Sequence, residues 1–100
     1  MYSIFSEKNN IMEEKRSVDM INAEILGRVI QEYREKRGLS QEVVSGLAGI
    51  GRTHLSAIER GVRKPTVDTF FKICDALDIL PSELMRRIED AASQPAVTKE

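Results

Sequence analysis

The chain has 100 residues, of which 41% are hydrophobic and 31% charged, a composition that suits one small folded domain. No apolar run approaches the roughly 18 residues of a membrane-spanning helix, and the N-terminus lacks the basic and apolar segments of a secretory signal. We therefore expect a cytoplasmic protein without membrane contact. The single cysteine, Cys74, cannot form a disulfide within the chain, which fits a reducing compartment.

The net charge of −1 hides a separation of charge along the chain. Residues 1–27 hold three basic and five acidic side chains, residues 28–64 hold eight basic and four acidic, and residues 65–100 hold four basic and seven acidic. The local balances are therefore −2, +4 and −3. Because the local field rather than the total charge steers a polyanion, the middle segment is the candidate surface for nucleic acid. Chance clustering of solvated charges is the alternative.

The two ends of the chain differ from its middle. Residues 1–21 are polar with scattered apolar side chains, and we treat them as an N-terminal arm in which a helix over Glu7–Arg16 is the only element considered. Residues 93–100, which include Pro95, are expected to form a C-terminal tail. The predicted domain therefore covers residues 22–92.

Helical periodicity begins near Asn22, which is a good N-cap residue. A 3-4-3-4 spacing predicts one stripe on the first helix, formed by Leu26, Val29, Ile30, Tyr33 and Arg37. Gly38 is expected to stop that helix in the left-handed conformation.

Two short helices are predicted next. Ser40 caps the second helix, which runs to Ala48 with an apolar side formed by Val43, Val44 and Leu47. Gly49 ends it, and a third helix follows in which Leu55 and Ile58 face inward and Gly61 closes the C-terminus.

The last two helices follow a basic turn that ends at Pro65. Thr66 caps the fourth helix, whose apolar side is predicted to hold Val67, Phe70, Phe71, Cys74 and Leu77. Pro81 opens the fifth, with Leu84, Met85, Ile88 and Ala92 on one side. Residues 22–92 show no convincing strand alternation, so the predicted fold class is all-α with five helices.

The second and third helices form the supersecondary unit that presents a helix to DNA: two short helices joined by a tight turn containing glycine. Gly49 permits that turn, and Ile50 can fill the gap between the helices. The small side chains of Thr53, Ser56 and Ala57 would let the third helix approach a major groove about 12 Å wide.

The run Leu39-Ser40-Gln41-Glu42, then Ala48-Gly49-Ile50, then Leu55-Ser56-Ala57-Ile58-Glu59-Arg60-Gly61 and Pro65-Thr66 resembles the Cro/phage-repressor type of helix-turn-helix, the XRE family of bacterial regulators. The resemblance covers roughly residues 24–88. It implies a compact, lambda-repressor-like domain that binds double-stranded DNA.

The resemblance also implies roles for individual residues. Positions that read base edges correspond to Arg52, Thr53, Ser56 and Ala57, and Arg52 is the strongest candidate because a guanidinium can bond both O6 and N7 of guanine. Positions that contact phosphate correspond to Ser40, Gln41, His54, Arg63, Lys64 and Thr66, although a solvated surface histidine is an equal alternative at 54. Arg34 and Glu59 match a structural ion pair between the first and third helices.

The sequence departs from the family pattern at three places. Gly51 stands where a serine usually caps the third helix, which removes the side-chain acceptor. Gly46 lies inside the second helix, at a cost of about 1 kcal/mol relative to alanine. Ala57 replaces a long polar side chain, so specificity is expected to depend on few base contacts and more on DNA shape.

Family members commonly act as dimers, and the predicted seam is the fifth helix, through Leu80, Met85, Ile88 and Ala92. The alternative is that these residues complete the core against the first helix. The predicted function is a repressor or autoregulator on a near-palindromic operator. A protein-interaction module with the same fold, antitoxin-like or a co-regulator, is the alternative.

No catalytic constellation appears in the sequence, so no enzyme activity is expected. Cys74 lies on an apolar stripe without a second cysteine or a nearby histidine, which favours a core residue over a metal ligand. We expect no cofactor, no metal and no small-molecule ligand.

Overall fold

The computed structural model describes residues 21–93, which form five α-helices and no strand. The helices are α1 (Ala23–Lys36), α2 (Gln41–Ala48), α3 (Arg52–Glu59), α4 (Val67–Leu77) and α5 (Pro81–Ala92). The all-α prediction is confirmed for this part of the chain. The predicted helix over Glu7–Arg16, the arm as far as residue 20 and the tail from residue 94 lie outside the described residues.

Side-chain caps start three of the helices at the predicted residues. Asn22 Oδ1 accepts hydrogen bonds from the N–H groups of Glu24 (2.8 Å) and Ile25 (3.0 Å). Ser40 and Thr66 cap α2 and α4 in the same way, each at 3.1 Å. These bonds satisfy backbone donors that a helix end otherwise leaves without a partner.

Left-handed residues end several helices. Gly38, Gly49 and Gly61 have φ of 71°, 73° and 78°, as their predicted roles require. The end of α4 was not foreseen, because there Asp78 adopts φ 58° in place of a glycine. Aspartate tolerates this conformation better than most side chains, since its short polar side chain can bond locally.

The core lies where the five helices meet. α1 packs against α3 and α5, and α2 packs against α4 and α3. The side chains that are fully buried at this centre are Ile30, Val44, Leu55, Ile58, Ile73, Cys74, Leu77 and Leu84. The two helices of the predicted DNA-presenting unit therefore rest on α1 and α4.

The prediction of which residues face the core is wrong at four positions of α2 and α4. Val43, Leu47, Val67 and Phe71 are 46%, 65%, 74% and 53% exposed. The other residues predicted on these two apolar sides are buried, namely Val44, Phe70, Cys74 and Leu77. Ser45, Ala48 and Ile73 complete the inward faces of α2 and α4. Val43, Leu47 and Phe71 are each one helical step of about 100° away from a buried neighbour, and a domain this small covers only one side of these helices. Val67 lies in the exposed first turn of α4.

Arg37, placed on the first helical stripe, is also exposed. Its guanidinium lies 5.2 Å from the centre of the Tyr33 ring and donates a hydrogen bond to the carbonyl oxygen of Asp78 at 3.0 Å. Arg87 of α5 lies 5.3 Å from the same ring. Tyr33 and these cations therefore join α1 to the end of α4 and to α5 at the surface.

Gly27 sets how closely α1 approaches α3, a role that was not predicted from the sequence. A Cβ atom at this position would collide with the carbonyl oxygen of Ile58 and lie 2.6 Å from that of Glu59. Only glycine permits this approach of the two backbones. The position of α3 in the molecule therefore depends on a residue of α1.

Candidate nucleic-acid interface

Helix α3 has a buried back and an exposed front. Leu55 and Ile58 are fully buried, while Arg52 and Thr53 are exposed at the N-terminal turn. Ser56 and Ala57 lie between these extremes, one turn further along. The four residues predicted to read bases therefore occupy the outward half of a helix anchored by the core.

The turn before α3 has the predicted construction. The Gly49 N–H donates to the Gly46 carbonyl (3.2 Å), and the Ile50 N–H donates to the Ser45 carbonyl (3.0 Å). Ser45 is buried, and Ile50 packs against the core. These contacts fix the angle at which α3 leaves α2.

The N-terminus of α3 has no side-chain cap, as the glycine at position 51 predicts. Gly51 contributes only its carbonyl oxygen, which accepts from the Leu55 N–H at 3.1 Å. The first N–H groups of α3 consequently lack a side-chain acceptor, and the positive end of the helix dipole lies beside Arg52.

A shallow hollow of about 180 Å³ connects the two helices of the motif. Gln41, Arg52, Thr53 and Ser56 line it. The structure thus brings the first residue of α2 together with three of the four predicted base-reading residues. Ala57 lies outside this lining.

The basic loop after α3 folds back towards that helix. The N–H groups of Val62 and Arg63 both donate to the Ala57 carbonyl, at 3.0 and 3.3 Å. Arg63 and Lys64 are exposed. The loop therefore lies against the C-terminal half of α3 and carries two exposed cationic residues.

Thr66 and His54 suit phosphate binding less well. The Thr66 hydroxyl donates to Thr69 Oγ1 at 3.1 Å and accepts from the Thr69 N–H, so a phosphate contact requires it to release Thr69. His54 is half-buried on α3. Ser40 is exposed, and its hydroxyl oxygen caps α2 as an acceptor, which leaves its hydrogen available as a donor.

The predicted ion pair between Arg34 and Glu59 is present and buried. Arg34 Nε donates to Glu59 Oε2 at 2.7 Å and Nη2 donates to Oε1 at 2.9 Å, while Nη1 donates to the Leu39 carbonyl at 2.8 Å. The hydrogen bond and the charge of Glu59 raise the pKa of the Arg34 guanidinium. Every polar atom buried among the described side chains has a partner, as this costly arrangement requires.

A third side chain joins this pair. Gln41 Nε2 donates to Glu59 Oε1 at 2.9 Å. The amide predicted to contact phosphate is therefore held from within the protein, and α1, α2 and α3 meet at a single carboxylate.

The predicted dimer seam needs correction at Ile88. Ile88 is buried in the core of its own chain, and Met85 packs against that core, whereas Leu80 and Ala92 are exposed. The inward face of α5 is used against α1, so this helix cannot offer Ile88 to a second copy. The alternative considered for Ile88, core packing, is what the structure has.

Exposed apolar side chains cluster instead on α4 and on the turn before α5. Val67 and Phe71 line a largely apolar hollow of about 340 Å³ that also reaches Ile21, Pro81 and Met85. A second hollow, of about 410 Å³, shares Phe71 and Pro81 and includes Leu80. We call Val67, Phe71 and Leu80 the α4 patch.

Two further features of the described residues bear on function. Residues 21–93 contain no group of three His, Cys, Asp or Glu side chains placed to hold a metal ion, and no helix in that range could cross a bilayer. Cys74 is fully buried, and burial raises the pKa of its thiol to about 11. A thiol in that state is a packing residue and a poor nucleophile.

Comparison with known proteins gives consistent matches. A helix-turn-helix family model matches residues 30–84. An uncharacterized HTH-type transcriptional regulator, y4dJ of Sinorhizobium fredii, is 36% identical over 61 residues, covering 61% of this chain and 79% of that protein. The control protein C.SmaI of Serratia marcescens is 33% identical over 64 residues, covering 64% and 76%.

Two solved structures are also similar. The restriction-modification controller protein C.AhdI from Aeromonas hydrophila is 37% identical with a TM-score of 0.61, covering 62% of this chain and 94% of that one. The controller protein C.Esp1396I, in a structure of its tetramer with a natural 35 base-pair operator, has a TM-score of 0.69 at 21% identity, which supports the fold; the match covers 76% of this chain and all of that one. With a family model that spans more than half of its length, the chain belongs to the helix-turn-helix family of XRE-type transcriptional regulators.

Proposed function

We propose that this protein is a sequence-specific DNA-binding regulator that acts as a repressor or autoregulator of transcription. The observation that carries the proposal is the exposed N-terminal half of α3, which lies between an uncapped helix end and a basic loop on a molecule of this family. A major groove admits one α-helix, and this helix presents small side chains and one arginine to it.

In this proposal Arg52 is the main reader of bases. It is exposed at the first position of α3, where a guanidinium can reach O6 and N7 of a guanine. Thr53 and Ser56, which share its hollow, contribute shorter contacts or a thymine methyl contact. Ala57 allows close approach of the helix and adds no polar contact of its own.

Phosphate contacts lie on both sides of the exposed face of α3. The Ser40 hydroxyl and the positive N-terminus of α2 face one strand, and Arg63 and Lys64 serve the other side of α3. These contacts give affinity and salt dependence without sequence information. His54 and Thr66 have secondary roles, because one is half-buried and the other is engaged with Thr69.

The protein acts as a homodimer through the α4 patch. A two-fold dimer places two recognition helices about 34–36 Å apart and thereby reads a near-palindromic site. The patch is favoured as the seam because its three large apolar side chains are exposed and line two hollows that share Phe71 and Pro81. Contiguous exposed apolar surface of this kind is typical of protein–protein contacts. The seam predicted from the sequence comprises Leu80, Met85, Ile88 and Ala92. Of these four residues only Leu80 is both large and exposed, and it belongs to the α4 patch.

Selection of bound sequences from a pool of random duplex DNA tests the proposal with the full-length protein. The expected result is enrichment of a two-fold symmetric sequence with a guanine at one fixed position of each half-site. A pool that stays random after repeated rounds, or an enriched site without symmetry, contradicts the proposed operator recognition or the proposed dimer respectively.

A further inference from the structure

The chain enters the described domain at the edge of an apolar hollow. Ile21, the first described residue, is 41% exposed and lines the hollow of about 340 Å³ beside α4. Val67 and Phe71 line the same hollow and are 74% and 53% exposed. The residue before Ile21 is therefore attached at the rim of an uncovered apolar surface. We call this hollow the apolar hollow.

The neighbouring hollow, of about 410 Å³, is acidic. It shares Phe71 and Pro81 with the apolar hollow. Its charged lining residues are all carboxylates, namely Asp75, Asp78 and Glu83. None of the three forms an ion pair with another described residue, and Arg37 bonds only to the backbone carbonyl of Asp78. This second surface, the acidic hollow, is therefore complementary to a segment that carries cations.

The sequence before Ile21 has its side chains in the order of these two hollows. Moving away from Ile21, the chain first has two apolar residues at alternate positions and then two cations: Met20, Val18, Arg16 and Lys15. Alternate residues of an extended segment point to the same side. Five or six residues of extended chain reach about 17–22 Å. Because the two hollows meet at Phe71 and Pro81, that reach takes the cations from the apolar hollow to the acidic one.

We propose that residues 15–20 dock in the two hollows of their own molecule. Met20 and Val18 enter the apolar hollow, and Lys15 and Arg16 face the carboxylates of the acidic hollow. The docked segment covers part of the α4 patch, so it competes with a second copy of the chain for that surface. The competition rests on the proposed dimer, whereas the docking does not.

The attachment of the segment at the rim decides which occupant is favoured. A segment on a short tether binds its own molecule at an effective concentration in the millimolar range, whereas a second copy is present only at the concentration of the protein. Val67 and Phe71 lose exposed apolar surface with either occupant. The segment therefore holds the α4 patch in dilute protein, and the second copy displaces it as the concentration rises.

Limited digestion of the full-length protein by trypsin tests the docking. Trypsin cleaves after Arg16, inside the docked segment, and after Lys8, which lies outside it and is the internal reference. The Val67→Glu variant places a charge in the apolar hollow. Relative to cleavage after Lys8, we expect cleavage after Arg16 to be about tenfold faster in this variant than in the wild type, because proteolysis follows the population of the open form.

Val43→Glu is the matched control. Val43 is also an exposed valine on a helix, and it lines neither of the two hollows. This variant should keep the cleavage ratio of the wild type. Cleavage within residues 21–93 is followed in the same digests and reports unfolding of either variant, so a loss of protection at Arg16 alone is specific to the docked segment.

Sedimentation velocity tests the competition with a variant that leaves the α4 patch unchanged. Val18→Asp and Met20→Asp together remove the apolar side chains of the segment. Each copy must release its own segment before two copies associate, so the dissociation constant of the dimer should fall by the square of the protection factor. For a tenfold protection this is about a hundredfold tighter dimer in the double variant.

Each contrary outcome is distinct. An equal cleavage ratio in the wild type and in Val67→Glu would overturn the docking. Protection that increases with protein concentration would assign the hollows to a second copy, and protection that appears only with added duplex DNA would assign the segment to DNA; both overturn the docking as proposed. An unchanged dissociation constant in the double variant overturns the competition. If the wild type and the double variant both remain monomers, the proposed dimer is wrong, and the digestion still decides the docking.

Discussion

At the scale of single residues, the proposed base recognition by α3 depends on very few side chains. Arg52 is the one long polar side chain of α3 in its hollow, and Ala57 offers no polar group where a longer one is usual. The phosphate-facing cations lie in a separate loop. Contributions to sequence preference and to affinity should therefore be separable by single substitutions.

The first prediction compares Arg52→Ala with Arg63→Ala. Arg52→Ala should remove about 1–3 kcal/mol of discrimination in favour of the operator, because a bidentate contact to guanine is lost. Arg63→Ala should weaken operator and random DNA alike and reduce the slope of log affinity against log salt by about 1. Titrations by fluorescence anisotropy at several salt concentrations measure both quantities. Equal effects of Arg52→Ala on operator and random duplexes would count against the groove-reading role.

The second prediction concerns Cys74 and alkaline pH. Its thiol has a pKa of about 11 in the fold, above the value of about 8.5 in an unfolded chain. As the pH rises from about 9 to 11 the unfolded chain loses this proton first, so the free energy of unfolding should fall, by about 2 kcal/mol.

Urea denaturation at pH 8 and at pH 10.5 measures this change. The Cys74→Ala variant is the control, because every other titrating group is common to both proteins. It should be less stable at both pH values and show a smaller decrease between them. Identical pH dependence in the two proteins would mean that the thiol does not contribute.

At the scale of the helices, two glycines inside helices differ in the space around them. Gly46 lies inside α2 with nothing within 4 Å of the position that a Cβ would take. Gly27 lies inside α1 against the backbone of α3. The first glycine only weakens a short helix, whereas the second lets two helices approach closely.

The third prediction is that Gly46→Ala and Gly27→Ala change stability in opposite directions. Gly46→Ala should raise the free energy of unfolding by about 0.5–1 kcal/mol, from helix propensity alone. Gly27→Ala should lower it by about 1–3 kcal/mol, because the new methyl group meets backbone carbonyl oxygens that move only if α3 moves. Urea denaturation of the two variants beside the wild type provides the measurement, and a shift of the same sign in both would contradict this account.

At the scale of the whole molecule, residues 21–93 include large apolar side chains that are exposed on more than one helix. The α4 patch lies around the hollows between α4 and α5, while Val43 and Leu47 are exposed on α2. Leu80 and Leu47 are nearly equal in exposure, at 66% and 65%. This pair of leucines allows a matched test of which side carries the dimer.

The fourth prediction is that Leu80→Glu separates the dimer into monomers and Leu47→Glu does not. Glutamate at the seam would bury a charge without a partner, whereas on α2 it remains in water. Sedimentation velocity over a range of concentrations measures the mass, with circular dichroism to establish that both variants are folded. A dimeric Leu80→Glu protein, or a monomeric Leu47→Glu protein, would move the seam away from the α4 patch.

For residues 21–93, the sequence by itself determined the number of helices, most of their ends and the helix-turn-helix motif. Caps and stops such as Asn22, Ser40, Thr66 and Gly49 depend on local backbone chemistry, which a reader of the chain can evaluate from a few neighbouring residues. The spacing of Leu55 and Ile58 likewise identified the buried back of α3.

Only the tertiary structure decided what depends on which helices meet. Whether Phe71 or Phe70 faces the core is a matter of one helical step, and the partner helix selects between them. Ile88 became core because α5 lies on α1, Gly27 became indispensable because α3 crosses it, and Gln41 turned inward because Glu59 and Arg34 already lie behind it. These are contacts between distant segments, and periodicity within one helix carries no information about them.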